Sequence, residues 1–213
     1  MRVRSLGRLL GRHSKVRAAA CAAALALALA GCSGGLGSLV TKSPPAAYNL
    51  VAATDFPRRS GPARGQLVIA EPVALAALDS EKIVVRPSPG ETAQLGGAQW
   101  EDRLPKLIQA RIVQSFENAS RLRAVGRPVD KIATDFVLTS EVRAFEISAA
   151  DGTAVVEIAA KIVRERTGRI MAARVFRVSV PAASTEGAGA AAALNEAFAK
   201  VQKELVLWAA RLV

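Results

Sequence analysis

Histidine and cysteine are nearly missing from this chain. Its 213 residues include one histidine, His13, and two cysteines, Cys21 and Cys32, all within the first 32 positions. Residues 33–213 therefore carry no imidazole and no thiol. That excludes Ser-His-Asp and Cys-His catalysis there, along with the usual zinc and copper sites. It also excludes a disulfide. Aromatic residues make up only 4% of the chain, which argues against nucleic-acid binding by base stacking. Chemistry based on paired carboxylates or on a Ser-Lys pair stays formally open. The apolar run Ala18–Ala30 is short: it holds 13 residues, where a helix crossing the bilayer core needs about 20.

Acids are absent from the start of the chain, where Arg2, Arg4, Arg8, Arg12, Lys15 and Arg17 precede that apolar run. A basic segment, a short apolar segment and small residues before a cut site are the marks of an export signal. The run leads into Leu29-Ala30-Gly31-Cys32, which matches the lipobox of bacterial lipoproteins. Cys32 is the candidate lipidation site, with signal peptidase II cutting between Gly31 and Cys32. An alanine-rich anchor with an incidental cysteine is the competing reading. Several acyl chains on Cys32 would hold the protein firmly, because each buried methylene contributes roughly 0.8 kcal/mol and one chain alone binds only marginally.

Removing residues 1–31 changes the charge argument. The whole chain is +11, but six of its 29 basic residues and none of its 18 acids lie in the leader. The remainder has 23 basic against 18 acidic residues, or +5. These charges are interspersed along the sequence, so no nucleic-acid partner is expected; a mild positive charge suits anionic headgroups or an acidic partner. Ser33 follows Cys32. An Asp there often retains enterobacterial lipoproteins in the inner membrane, so Ser points to the inner leaflet of the outer membrane, facing the periplasm. The outer leaflet of the inner membrane is the alternative. Residues 32–47 are expected to form the lipidated Cys and a flexible tether. The fifteen residues after Cys32 reach about 50 Å when stretched, at ~3.3 Å each.

Residues 48–213 are long enough for one domain with a sizeable core. Gln66–Ala70 and Lys82–Arg86 are predicted strands, stopped by Pro72 and by Pro87 and Pro89. Glu91–Leu95 is a third candidate, ending at Gly96-Gly97. Trp100, Leu104, Leu107, Ile108, Ile112 and Phe116 recur at helical spacing. Pro105 fits only the first turn of that helix, which places its start near Asp102 or Arg103, with Trp100 packing over it. Leu122–Val125 is a further short strand. Asp135–Ile147, Thr153–Arg166 and Ile170–Val180 alternate with period two and are joined by turns at Asp151-Gly152 and Thr167-Gly168, which predicts an antiparallel meander. A change of phase at Phe145 points to a bulge or a strand end. Leu194, Ala197, Phe198, Val201, Leu205, Trp208 and Leu212 mark a final long amphipathic helix. The expected class is α+β: an antiparallel sheet with two main helices packed on one face.

Other conspicuous residues have plain readings. Trp100 and Trp208 are expected in packing. Asn118-Ala119-Ser120 matches a glycosylation sequon but is read as a helix end. Gly90 and Gly96-Gly97 lack the strand–loop–helix setting and the lysine of a phosphate loop. Arg58, Arg59 and Arg64 make a small basic patch, read as a solvated loop. Ala190–Ala193 supports the start of the last helix, either simply as good helix formers or to allow close packing against another subunit.

Tyr48-Asn49-Leu50, Phe56-Pro57, Leu67-Val68-Ile69, Glu71-Pro72 and Ile83-Val84-Val85 occur in a familiar order. They are followed by Ala98 through Pro105 with its Trp-x-x-x-Leu-Pro stretch, Asp135-Phe136-Val137-Leu138, Phe145-Glu146, and Asn195-Glu196-Ala197-Phe198 with Trp208. In these segments the chain resembles the ABC-type transport auxiliary lipoprotein family. The resemblance implies a non-enzymatic component of lipid traffic across the cell envelope. Its implied partners are an MCE-domain protein that extends through the periplasm and ABC transporter components, and a homo-oligomer is compatible with the same role. It implies an α/β sandwich and carries no catalytic motif, cofactor or metal. Two functions follow as expectations. One is a docking module that holds the periplasm-spanning partner at the outer membrane. The other is a periplasmic lipid-binding carrier or sensor, motivated by the 51% hydrophobic content. An envelope hydrolase would need a Ser-Lys or paired-carboxylate site that the sequence does not display.

Overall fold

The computed structural model describes residues 44–57 and 64–213. The expected leader, Gly31, Cys32, most of the tether, Arg58 and Arg59 lie outside the described residues. Strand β1 (Ala46–Tyr48) takes in Ala46 and Ala47, so the folded domain begins slightly before the expected end of the tether.

The α+β class is observed, but the sheet is mixed rather than wholly antiparallel. Its central strand, β7 (Phe136–Ser148), pairs antiparallel with β8 (Thr153–Arg164), and β8 pairs antiparallel with β9 (Arg169–Pro181). This is the expected meander, with a register irregularity between Val142 and Ala144, just before Phe145. The other side of β7 carries three short strands in succession, all parallel to it. β2 (Arg64–Ile69) lies beside Phe136–Leu138, β3 (Val73–Ala74) beside Glu141–Val142, and β4 (Lys82–Arg86) beside Glu146–Ser148. β6 (Leu122–Gly126) extends the sheet parallel to β2. β5 (Ala93–Trp100) runs antiparallel to β4, with β1 parallel to β5. Parallel pairing needs long crossovers, and the β2-to-β6 connection contains helix α1 (Leu104–Ala119). β5 continues through Gly96-Gly97 to Trp100, rather than ending there; Gly97 takes a left-handed φ of 70° that lets the strand pass.

Both helices cover one face. Helix α1 begins after Arg103 with Pro105 in its first turn and ends where Ser120 turns left-handed, at φ 48°. Helix α2 (Gly187–Ala209) lies over β8 and β9 and touches α1. Its small Ala190, Ala191 and Ala193 are all buried within this chain, so the alanine-rich start serves close approach to the chain's own core. The core between helices and sheet is filled by Trp100, Phe145, Phe198, Ile158 and Leu205. Phe145 meets Trp100 edge-on at 5.7 Å and Phe198 at 5.6 Å. Each such side chain contributes roughly 1.5–3 kcal/mol on burial. Gln109 of α1 donates to the Ile69 carbonyl at 2.8 Å and so satisfies the end of β2 before Pro72 turns the chain away. No helix among the described residues is long and apolar enough to cross a membrane.

Candidate docking surfaces

The chain enters the domain by an unusual route. After β1, residues 49–53 form an extended strap over the two helices, held by helix side chains instead of a neighbouring strand. Val51 N–H donates to Asn195 Oδ1 at 2.8 Å, and its carbonyl accepts from Gln202 Nε2 at 3.0 Å. Ala53 N–H donates to Ser115 Oγ at 3.0 Å and Gln202 Oε1 at 3.1 Å, while its carbonyl accepts from Asn118 Nδ2 at 2.8 Å. Leu50, Ala52 and Ala53 are buried beneath. Every polar backbone group of Val51 and of buried Ala53 is thereby satisfied, while the Val51 residue itself stays exposed. The spacing of Asn118, Asn195 and Gln202 gives no sign of this arrangement, because their partners in the strap lie 65 or more residues away.

Among the described residues, no helix lies over the opposite face of the sheet. Register places Val73, Glu141, Ala159 and Val175 in one row across β3, β7, β8 and β9. Val73 and Leu75 are 69% and 78% exposed there, and they wall an open groove of about 310 Å³ with Thr139 and Lys161. Ion pairs occupy the rest of this face: Arg143 with Glu141 at 3.3 Å, Arg177 with Glu157, and Arg86 with Glu146. The last is two-pronged, with Nε and Nη2 each 2.7 Å from a Glu146 oxygen. That hydrogen bonding, and then the carboxylate's charge, raises the Arg86 pKa above its already high ordinary value. At the head of α1, Lys106 bonding to Asp102 holds that carboxyl below its ordinary range. Arg103 is raised mainly by its bond to Asp79.

The third surface is the β8–β9 hairpin. Arg164, Arg166 and Arg169 surround its turn, and Ile170 and Met171 stand beside them, 54% and 37% exposed. Along the sequence the positive charges are dispersed among acids. Within residues 161–169, however, Lys161, Arg164, Arg166 and Arg169 accompany one acid, Glu165, whose backbone N–H donates to the carbonyl of neighbouring Asp135 at 3.1 Å.

The remaining sequence-predicted residues fall as follows. Trp100 is fully buried against Phe145, and Trp208 is half-buried at the edge of Phe176, 5.5 Å between rings. Asn118 belongs to the last turn of α1, bonded to the strap, in keeping with a helix end. Arg64 contributes backbone to β2, apart from Arg58 and Arg59, which are not described. Gly90 and Gly96-Gly97 lie in and beside β5 and build no phosphate cradle. Among the described residues, no group of three or more acidic, histidine or cysteine side chains is placed to hold a metal. The arrangement offers surfaces for binding.

Comparison with known proteins agrees with these features. The family model described as ABC-type transport auxiliary lipoprotein component matches residues 48–206. An uncharacterized protein of Bradyrhizobium diazoefficiens is 37% identical over 158 residues, covering 71% of this chain and 42% of its own length. The chain thus spans about two-fifths of that curated relative. The crystal structure of protein XCC0632 from Xanthomonas campestris, of family DUF330, superposes with a TM-score of 0.71 at 32% identity, covering 78% of this chain and 96% of that one. The hypothetical protein CT253 from Chlamydia trachomatis shares the fold alone: TM-score 0.51 and 10% identity, over 70% of this chain and 98% of that one. With the match extending from Tyr48 at β1 to Val206 in the last turns of α2, this chain belongs to the ABC-type transport auxiliary lipoprotein component family.

Proposed function

We propose that this protein is the lipid-anchored, non-enzymatic docking component of an MCE/ABC-type intermembrane lipid transport system. Acyl chains on Cys32 hold it in the inner leaflet of the outer membrane, facing the periplasm, and its folded domain receives the periplasm-spanning MCE-domain partner. The observation that carries this reading is the lipobox Leu29-Ala30-Gly31-Cys32 standing ahead of a domain of the transport auxiliary family. The packed helix–sheet interface, filled by Trp100, Phe145 and Phe198, favours docking over a carrier that would need room for acyl chains there.

The test has two arms. Mass spectrometry of the protein purified from its own envelope should find a chain beginning at Cys32 and carrying diacylglycerol and amide-linked acyl groups. Cys32→Ser should release the protein from outer-membrane fractions. Affinity capture of the lipidated protein should recover MCE-domain or ABC transporter components. An unmodified Cys32 with its leader retained, or capture that yields no transport component, would overturn the proposal. Phospholipid co-purifying with the domain in stoichiometric amount would favour the carrier instead.

A further inference from the structure

Strand β9 is thirteen residues long and has one neighbour, β8; among the described residues its other edge pairs with nothing. A strand in that position presents a row of unsatisfied N–H and C=O groups, which templates the addition of another strand. Natural edges are commonly blunted by bulges or prolines. Here the register irregularity beside Met171 and the proline at Pro181 lie at the two ends. The stretch from Ala172 to Val180 between them stays regular and open.

The surroundings of this edge specify a partner chemistry. Arg174 is paired with Glu204 and Arg177 with Glu157, so those two charges are already matched. Arg164 stacks over Phe136 at 5.3 Å. Arg166 and Arg169 have no acidic partner among the described residues, and Ile170 and Met171 beside them are exposed apolar surface. The hairpin end is also remote from the chain's entry. β1 pairs with Ala98–Trp100 of β5 at the far edge of the sheet from β9, with β5, β4, β7 and β8 between them, whereas the β8–β9 turn lies beside Phe136. Five strand spacings of about 4.8 Å separate β1 from β9 across the sheet.

We propose that the free edge of β9 is the site where the transport partner docks, by addition of an extended segment with apolar and acidic side chains, whose acids meet Arg166 and Arg169. A lipid surface would satisfy the arginines but not the backbone row. This inference rests on the docking function proposed above and specifies its location.

A photo-cross-linking amino acid placed at Val175 in the full-length, lipidated protein in its own host tests it. The same group at Val129, an exposed residue of the Pro128–Asp130 turn away from β9, is the control. The expected result is a covalent adduct between position 175 and an MCE-domain or transporter component, at least tenfold above the adduct at position 129. In Arg166→Glu/Arg169→Glu the yield should fall at least tenfold, with unchanged thermal unfolding. If affinity capture still recovers transport components but position 175 gives no adduct with them, docking occurs elsewhere and the β9 assignment is overturned. The assignment is equally overturned if position 175 links only to phospholipid, to a second copy of this chain, or to residues 32–43. If no transport component is captured by any route, the docking function itself fails, and this inference with it.

Discussion

Gln202 and Val51, 151 positions apart, are joined by a 3.0 Å hydrogen bond from Gln202 Nε2 to the Val51 carbonyl. The same amide's oxygen accepts from Ala53 N–H and from the Ser115 hydroxyl. One fully buried side chain in α2 therefore fastens the entry strap to both helices. Gln202→Leu keeps the volume roughly but strips the Val51 carbonyl of its partner and leaves Ala53 N–H to Ser115 alone, and an unpaired group costs about 1–3 kcal/mol. The expected destabilisation is about 1–3 kcal/mol, read as a lower midpoint in urea unfolding. Because the strap leads from the tether, proteolysis between residues 44 and 57 should also accelerate in this variant.

Phe145 stands between Trp100 and Phe198, edge-on to both. Truncation removes both ring contacts and leaves a cavity that sheet and helices cannot easily close. Phe145→Ala should cost about 3–5 kcal/mol. Thermal unfolding should show it, and Phe145→Leu should recover more than half.

Glu146 is a nearly buried carboxylate on the uncovered sheet face, gripped by both prongs of Arg86. Two-pronged pairs rank among the stronger charge-assisted bonds, but the arginine is partly in solvent, which screens the attraction. Glu146→Gln should lower stability by about 1–2 kcal/mol at low salt, measured by urea titration. Arg86→Ala in the same background should add little, since the pair acts as one unit.

Asp102 carries a depressed pKa, chiefly through its bond to Lys106 and then through the Arg103 backbone N–H. A carboxyl more acidic in the native state than in the unfolded chain stabilises the fold above its ordinary value of 3.8. That contribution is lost as pH falls from there through the lowered native value. Acid titration followed by circular dichroism should show a shallower loss of stability in Asp102→Asn. The difference between the two proteins should be constant above about pH 5, where Asp102 is ionised in both states.

The helices and the meander are legible in the sequence because their signals are local. Pro105 sets the start of α1, the alternation in 136–164 marks two long strands, and Gly152 and Gly168 adopt the positive φ their turns require. β1 and β3, three and two residues long, have no periodicity to read. The pairing direction of β2, β3 and β4 is equally hidden, since alternation reports which face a side chain takes and not which way a neighbour runs. The strap is hidden for a related reason: Asn195 and Gln202 read as ordinary polar positions of an amphipathic helix, and their partners are supplied by a distant segment.

The sequence by itself determined the class, the two helices and the meander, and the family, although β8 ends at Arg164 rather than Arg166 and α2 at Ala209, before the expected Leu212. Those follow from steric and hydrophobic rules acting over a few residues, and from motif order along one dimension. Only the tertiary structure decided that three short strands line up along one side of β7 and that β9 keeps an open edge. These are outcomes of long-range packing, in which segments far apart in sequence compete for the same neighbour and one edge is left without a partner.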